Sequence, residues 1–207
     1  MLGQKKQTGG RGLFFVKIVS PSFFQLQTET LARLLLGKKL IYETTEGLCS
    51  GIIVETEAYL NENDPACHAS RGKTKRNAVM FGPPGRAYVY FIYGNHFCFN
   101  VVSGKEGKGE AVLIRALQPV DGIPIMKRRR ATTELVSLTN GSGKLCQAMG
   151  ITIDDNGRKL DQKPLYIAEH MHIEPAEIVS TTRIGISQAK EKLLRFYLRN
   201  NHFVSRK

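Results

Sequence analysis

The sequence lacks tryptophan and has only four cysteines among its 207 residues. No two cysteines form a CxxC pair, so the motifs of zinc ribbons and of dithiol redox enzymes are absent. We expect free thiols in a reducing compartment. Cys67 and His68 are neighbours, but no other ligand pair has zinc-binding spacing. The sequence therefore predicts neither a metal nor any other cofactor.

Long apolar runs are missing as well. No stretch approaches the ~20 apolar residues that a membrane-spanning helix needs. Residues 13–16 are apolar, but Lys17 interrupts them and no small-residue cleavage site follows, which argues against a signal peptide. We therefore expect a cytoplasmic protein, associated with the nucleoid if the source is bacterial, that makes no contact with a membrane.

Acidic residues are scarce relative to basic ones. Eighteen Asp and Glu stand against thirty Lys and Arg, which gives a formal net charge of +12. Such an excess commonly marks a nucleic-acid binder, although a basic protein with no such partner is the plainer alternative. With 42% hydrophobic residues the chain can bury one sizeable core. We expect a flexible basic arm over residues 1–12 and a single domain over residues 13–207.

Two carboxylates stand on an otherwise apolar strand. Residues 52–59 are β-branched and then alternating, which predicts a strand. Side chains at i and i+2 share a strand face, so Glu55, Glu57 and Tyr59 are expected on one face. A carboxylate pair about 7 Å apart would also fit an inverting glycosidase. The basic charge and the lack of tryptophan argue against a carbohydrate substrate.

A β-hairpin rich in tyrosine follows. Residues 87–93 and 96–102 are both strand-like, and the Gly-Asn break between them predicts a tight connection with Tyr93 near its tip. A two-residue turn would place Asn100 on the face opposite Tyr90, whereas an odd-length turn would place both on one face. The sequence leaves the two registers open.

Basic residues are concentrated in the connection between these two regions. Residues 61–86 are polar and rich in Pro and Gly, and a connection of this length in a compact domain is usually functional. They carry His68 and a basic cluster that consists of Arg71, Lys73, Lys75 and Arg76. Beside tyrosine-bearing strands, phosphate contact is the favoured interpretation, with a solvated loop as the alternative.

A second anion site is predicted where the residues Asn-Gly-Ser-Gly-Lys, at 140–144, open a helix. The backbone N–H groups of Ser142, Gly143 and Lys144 are free to hold a phosphate there. A nucleotide-binding P-loop is the alternative, but Lys144 is followed by Leu and no buried strand precedes the motif. A DNA phosphate suits the motif better.

The rest of the chain predicts both helices and strands. Helices are expected over residues 22–37, around 127–130 and in a basic turn-and-helix segment at 183–192. Further strands are expected at 38–42, 111–117, 164–168 and 195–199. The basic run at 127–130 fits a solvated helix face and a DNA-facing one equally well.

Short motifs run along the chain in a fixed order. They are VETEAYL at 54–60, A-x-H ending at His68, RN at 76–77, MFGPPG at 80–85, YVYFIYG at 88–94, LIRA at 113–116, GKLCQA at 143–148, RIGI at 183–186 and RFYLR at 195–199. In this order, and over about residues 20–205, the chain resembles the alkyladenine (3-methyladenine, methylpurine) DNA glycosylase family. A match of this extent is far more specific than one short motif.

The resemblance implies an α+β fold: a single domain with a curved, mainly antiparallel sheet flanked by helices, and a protruding β-hairpin that inserts into DNA. It implies a monofunctional DNA N-glycosylase of base excision repair that acts as a monomer on double-stranded DNA containing damaged purines. The substrates expected are 3-methyladenine, 7-methylguanine, hypoxanthine and ethenoadenine. The base must be flipped out because its sugar carbon is inaccessible within the stack, and an abasic site remains.

The resemblance also assigns roles to single residues. Glu57 matches the carboxylate that activates the attacking water, and Arg115 matches a residue beside the flipped nucleotide's phosphate and the catalytic site. Tyr59, His68 and Tyr90 match the walls that sandwich the flipped base. Electron-rich rings favour a base that carries positive charge. The role of Glu55 is left open, with a structural carboxylate paired to a nearby Arg as the plain alternative.

Two further roles concern selectivity and base flipping. Asn100 matches a pocket residue that clashes with the 2-amino group of guanine, and Tyr93 matches the residue that fills the vacated stack. Asn95 and His96 occupy the expected DNA-binding tip, where relatives often have an apolar side chain, so this contact is expected to be more polar and weaker. The main rival is a non-catalytic RNA-binding module, which leaves Glu57 without a use.

Overall fold

The computed structural model describes residues 16–92, Gly94 and residues 96–206. The strands in this part of the chain form one antiparallel sheet, ordered β3-β4-β5-β2-β1-β6, with β8 also beside β2 and β7 beside β8. The strands are β1 (Lys39–Thr44), β2 (Gly47–Tyr59), β3 (Ala87–Ile92), β4 (His96–Ser103), β5 (Glu110–Asp121), β6 (Leu165–Ala168), β7 (Ile178–Thr181) and β8 (Arg195–Leu198).

Strand β2 has 13 residues and is the centre of the sheet, because three strands, β1, β5 and β8, pair with it. Strand β5 pairs along most of one side, while β1 and then β8 share the other. From Cys49 to Ala58 every residue of β2 is buried, including both predicted carboxylates. Only at Tyr59 does the strand come back towards the surface. The carboxylates therefore lie inside the domain and near one end of its longest strand.

Three α-helices and several short 3-10 helices cover the sheet in the described part of the chain. The α-helices are α1 (Thr28–Leu34), α2 (Ile123–Arg130) and α3 (Ser142–Met149), and the 3-10 helices are Pro21–Gln25, Ala78–Phe81, Ile153–Asp155 and Pro175–Glu177. Helix α1 packs on β2, and α3 packs on β4, β5 and α2. Among the described residues, no helix has the length and apolar character to cross a membrane.

The predicted α+β fold with a mainly antiparallel sheet is confirmed. The strands expected around residues 38–42, 111–117, 164–168 and 195–199 are all present, and so is the helix at 127–130. The predicted arm at 1–12 lies outside the described residues. Tyr93 and Asn95 are also outside them, so insertion of a protruding hairpin into DNA stays a prediction.

The pairing of β3 with β4 decides the register that the sequence left open. Ile92 stands opposite His96, so three residues connect the paired ends. This odd-length connection places Asn100 directly opposite Tyr88 and on the same face as Tyr90. The alternative of a two-residue turn is wrong, and the tyrosines and Asn100 share one face of the sheet.

Two predicted helices differ from the structure. The helix expected over residues 22–37 is broken, because Leu26 and Gln27 are extended, with ψ of 156° and 139°. The break brings the Thr28 hydroxyl to the buried Glu110 carboxylate at 2.6 Å, a tertiary contact that local periodicity does not reveal. Residues 183–192 form no helix either. At the start of that segment, Arg183 and Ile184 donate hydrogen bonds to Asp64 and Glu57.

Candidate active site

A cavity of about 420 Å3 opens between the end of β2, the β3–β4 pair, β5 and two loops. Its volume lies in the range of about 300–1,000 Å3 that small-molecule sites occupy. The lining includes an aromatic group and several polar side chains: Tyr59, His68, Arg71, Tyr88, Tyr90, Cys98, Asn100, Arg115 and Ser142. The structure thus brings together all the predicted pocket residues and the predicted Arg115.

The aromatic side of the cavity is made of three rings in contact. The ring of His68 meets Tyr90 edge to face at 4.7 Å between centroids, and Tyr88 lies 5.2 Å from Tyr90. Nδ1 of His68 is 3.0 Å from the Tyr88 hydroxyl. His68 faces the open cavity, but the surrounding protein shields its imidazole from water. This desolvation and the positive charge of nearby Arg76 lower the pKa of His68. Burial raises the pKa of Tyr88 to about 12. All three rings are therefore uncharged at neutral pH.

Glu57 lies directly behind this lining and is 0% exposed. Its Oε2 accepts a hydrogen bond from the Tyr59 hydroxyl at 2.8 Å, and its Oε1 accepts one from the backbone N–H of Ile184 at 2.9 Å. Burial raises the pKa of Glu57, against the opposing effect of Arg115, whose Nε is 3.6 Å from Oε1, and of the two hydrogen bonds. A carboxylate with a raised pKa is a stronger proton acceptor than an exposed one.

A bulge in the β2–β5 ladder directs Arg115 towards both carboxylates. The register shifts between Glu55 and Thr56, so Arg115 has no partner in the ladder. Its Nε lies 3.2 Å from Oε1 of Glu55 and donates to Oγ of Ser205 at 3.1 Å. One guanidinium therefore touches the cavity on one side and two buried carboxylates on the other.

Glu55 itself is held by structural partners. Its Oε1 accepts from Nε of Arg195 at 2.7 Å and from the Ser205 hydroxyl at 3.0 Å, and its Oε2 accepts from the Ser205 N–H at 2.7 Å. The residue is fully buried and is not part of the cavity lining. This geometry favours the plain alternative for Glu55, a carboxylate that fixes the arginines around it.

Asn100 forms a rigid part of the cavity wall. Its Nδ2 donates to the backbone carbonyl of Tyr88 at 2.9 Å, across the β3–β4 pair. The residue is 4% exposed. Because the amide is tied to the main chain, it cannot turn aside without losing this hydrogen bond.

Comparison with known proteins identifies the family of this chain. Residues 22–202 match the family model described as methylpurine-DNA glycosylase. The chain belongs to this family. It is therefore a DNA N-glycosylase, a hydrolase that acts on glycosyl bonds and repairs alkylated bases in DNA. The RNA-binding and carbohydrate alternatives are set aside.

Several relatives of this glycosylase are similar over almost their whole length. A protein of Methanoculleus marisnigri is 52% identical over 189 residues, which cover 90% of this chain and 97% of the relative. A protein of Carboxydothermus hydrogenoformans is 52% identical over 89% of this chain and 97% of its own length. A protein of Prosthecochloris aestuarii is 48% identical over 89% of both chains. All three are provisionally named 3-methyladenine DNA glycosylase.

The basic residues of the 61–86 loop of the glycosylase differ in what holds them. Arg71 is exposed and lines the cavity, whereas Lys73 and Lys75 are exposed away from its lining. The guanidinium of Arg76 lies 5.5 Å from the centre of the Tyr90 ring and donates to a backbone carbonyl of β3 at 3.0 Å. Phosphate contact by Arg71, Lys73 and Arg76 stays a prediction.

The start of α3 lies beside the cavity and the start of β4. Ser142 lines the cavity, and its hydroxyl accepts from the Cys98 thiol at 3.5 Å. A Cβ added to Gly143 would be 3.0 Å from Cβ of His96, so glycine permits the close packing. Nζ of Lys144 donates to Oδ1 of Asn140 at 2.9 Å. The predicted anion site is therefore next to His96, while its DNA contact is untested.

The basic run at 127–130 is occupied largely by contacts within the protein. Arg128 and Arg129 both pair with Glu46, at 2.6 and 2.7 Å. Arg130 donates to the Leu138 carbonyl at 3.2 Å and to Gln147 at 2.6 Å. The geometry favours a structural use for these three arginines.

Sequence reasoning missed a buried ion pair beside the cavity. Arg183 and Asp64 are joined by two hydrogen bonds of 2.6 Å, and both side chains are 0% exposed. They lie 119 positions apart, so no local pattern links them. The RIGI motif at 183–186 pointed to the segment but not to its partner. Ile184, the second residue of that motif, was missed as a donor to Glu57.

Proposed function

We propose that this glycosylase removes alkylated or deaminated purines from duplex DNA in base excision repair, with a water molecule activated by Glu57. The proposed substrates are 3-methyladenine, 7-methylguanine, hypoxanthine and ethenoadenine. The observation that carries the proposal is the position of Glu57, a fully buried carboxylate with a raised pKa directly behind an aromatic cavity. A base stacked in that cavity would lie close to Tyr59, Arg115 and Ile184, which line the cavity and contact Glu57.

The walls of the cavity suit a flipped purine. Tyr59, His68 and Tyr90 supply flat, uncharged rings, and such rings attract a base that carries positive charge, as 3-methyladenine and 7-methylguanine do. The lowered pKa of His68 supports this role, because a protonated imidazole would repel a cationic base. The uncharged rings can therefore favour a cationic base without carrying a charge of their own.

Catalysis then follows from the charges behind the wall. The bond between C1′ and the base nitrogen breaks with its electron pair on the departing base, the water oxygen bonds to C1′, and the water proton passes to Glu57. The negative carboxylate also stabilises the positive charge that develops on the sugar. The water must reach Glu57 between Tyr59, Arg115 and Ile184, which separate the carboxylate from the cavity.

Undamaged guanine is proposed to be rejected by Asn100. The 2-amino group of guanine would need the space that the amide occupies, and the hydrogen bond to the Tyr88 carbonyl keeps the amide in place. Hypoxanthine lacks that amino group and would fit. Selectivity of this kind relies on a clash with the wrong base rather than on a stronger contact with the right one.

Flipping and DNA binding are proposed for residues around the cavity. Tyr93 fills the vacated stack. The phosphate and tip contacts are proposed for Asn95, His96, Arg71, Lys73, Arg76, Ser142, Gly143 and Lys144. The net charge of +12 and the exposed basic loop support this surface, since phosphate contacts provide much of the affinity for DNA. We propose that the protein acts as a monomer.

The experiment that tests the proposal measures free base released from methylated duplex DNA and from duplexes that carry a single hypoxanthine or ethenoadenine. We expect free purine and an equal amount of abasic site from damaged DNA, and neither from an undamaged duplex of the same sequence. Absence of base release from all the damaged substrates would contradict the proposal.

A further inference from the structure

The ion pair between Asp64 and Arg183 has no part in the chemistry proposed above, although it lies against the site. Both groups are fully buried, and the guanidinium meets the carboxylate with two parallel hydrogen bonds of 2.6 Å. Such a bidentate contact fixes the plane and the direction of both side chains. Neither residue lines the cavity, so neither touches a flipped base.

Arg183 makes two contacts beneath the cavity, and the residue after it makes a third. Its guanidinium carbon lies 4.7 Å from the centre of the Tyr59 ring. Its Nη1 donates to the backbone carbonyl of Ala58 at 3.0 Å. The next residue, Ile184, donates its N–H to Oε1 of Glu57 at 2.9 Å. One side chain thus supports the ring of Tyr59 and fixes the segment that holds Glu57.

Asp64 anchors the same arrangement from the other loop. Its Oδ2 accepts from the backbone N–H of Leu60, the residue after Tyr59, at 3.1 Å. The loop that carries His68 begins here, so the ion pair joins three parts of the wall: the end of β2, the 61–86 loop and the segment after residue 182. No other ion pair among the described residues joins these three parts.

Stability alone is a weak reason for such a pair. Replacing a buried ion pair with apolar residues is often neutral or stabilising, because both charges must lose their water. Nε of Arg183 is also buried without a hydrogen-bond partner in the part of the chain that the structure describes. The geometry points to a different use.

We propose that Asp64 and Arg183 are a positioning pair, which holds Tyr59 and the segment at Ile184 in register with Glu57 while adding no net charge beside it. The proposal rests on the proposed role of Glu57 as the base. It makes neither residue catalytic, because both act through Tyr59 and Ile184.

The neutrality of the pair matters because several charged groups already lie close to Glu57. Arg115 and Glu55 face it from the sheet, and Arg195 of β8 binds Glu55 in turn. Arg183 and Asp64 approach from the two loops, and the guanidinium carbon of Arg183 lies 4.7 Å from the centre of the Tyr59 ring. Removing one charge of the pair leaves the other uncompensated in a buried setting, where its effect on a nearby titration is large.

The test is the single-turnover excision rate as a function of pH in two single variants. Asp64→Asn keeps the shape and leaves the positive charge of Arg183 unopposed, which favours ionised Glu57. We expect the acid limb of the rate profile to move to lower pH by about one unit. Arg183→Met removes the positive charge, and the limb should move to higher pH. Glu46→Gln is the control, since it breaks an exposed arginine pair at the far end of β2.

A third variant covers the case in which a single variant does not fold. The charge-free double variant Asp64→Asn/Arg183→Met leaves no unpaired buried charge and should fold. Its rate at the plateau should fall by roughly tenfold or more, because small displacements of reacting groups are costly in rate. A folded double variant with the wild-type plateau rate would overturn the proposal, as would single variants whose acid limbs do not move in opposite directions.

These outcomes are separate from the proposed function. If Glu57→Gln is inactive but the pair variants behave like wild type, the role of Glu57 survives and the positioning pair is wrong. If Glu57→Gln keeps its rate, the proposed base is wrong whatever the pair variants do.

Discussion

Replacing Tyr59 with Phe removes one hydrogen-bond donor from Glu57 and leaves the aromatic ring in place. The lost bond is the 2.8 Å contact from the phenol to Oε2, which favours the ionised carboxylate. A hydrogen bond to a charged group contributes about 1.5–3 kcal/mol, and one pKa unit corresponds to about 1.4 kcal/mol. We therefore expect the pKa of Glu57, already raised by burial, to rise further by about 1–2 units.

The higher pKa of Glu57 changes how the excision rate depends on pH. A higher pKa keeps Glu57 protonated, and unable to accept a proton, up to a higher pH. The acid limb of the single-turnover rate should therefore move to higher pH by about 1–2 units, while the plateau above it changes little. The measurement is base release at saturating enzyme, from acid to mildly alkaline pH, on a hypoxanthine duplex whose base does not titrate in the acid range.

Tyr88→Phe is the matched control for this prediction. Its hydroxyl contacts Nδ1 of His68 at 3.0 Å instead of Glu57, and its ring lines the same cavity. Loss of that hydroxyl should leave the acid limb in place. An acid limb of Tyr59→Phe that coincides with wild type would refute the reasoning, since it would mean that Glu57 does not set the limb.

Four further outcomes are expected. Lys73→Ala should lower the slope of log K against log salt for duplex binding by about one unit, and no change of slope would remove Lys73 from the DNA surface. Tyr93→Ser should weaken the flipped state by up to a few kcal/mol, measured by lesion-DNA affinity, with little change in the chemical step. Asn100→Ser should increase release of undamaged guanine and leave hypoxanthine excision largely unharmed, and unchanged guanine release would contradict the exclusion. Glu57→Gln should raise the melting temperature at neutral pH. Because the pKa of Glu57 is raised in the folded protein, its carboxyl favours folding below its unfolded pKa and loses that contribution as the pH rises. The amide does not ionise and therefore avoids this loss.

The sequence predicted the elements that carry the site because their signals are local. The β-branched run before Glu57 predicts β2, and the Tyr-rich strands on either side of a Gly-Asn break predict β3 and β4. The i, i+2 rule also places Glu55 and Glu57 on one face, and the contact of both with Arg115 agrees. Composition alone indicated the nucleic-acid partner that membership of the family implies.

What the sequence could not predict depends on contacts between distant residues. The register of Tyr90 and Asn100 follows from the length of a connection whose turn type was ambiguous. The bulge that frees Arg115 from the ladder has no sequence signature. The ion pair of Asp64 and Arg183 bridges 119 positions, and it replaces the helix that local composition favours after residue 183.

The most direct test of the central claim compares lesion binding and excision in Glu57→Gln. The amide keeps the size of the side chain but cannot accept the proton of the water. Glu62→Gln, at an exposed position of the following loop, is the control. We predict that Glu57→Gln binds a hypoxanthine duplex nearly as tightly as wild type and releases no detectable base in a single turnover. Base release at a rate near that of wild type would contradict the account.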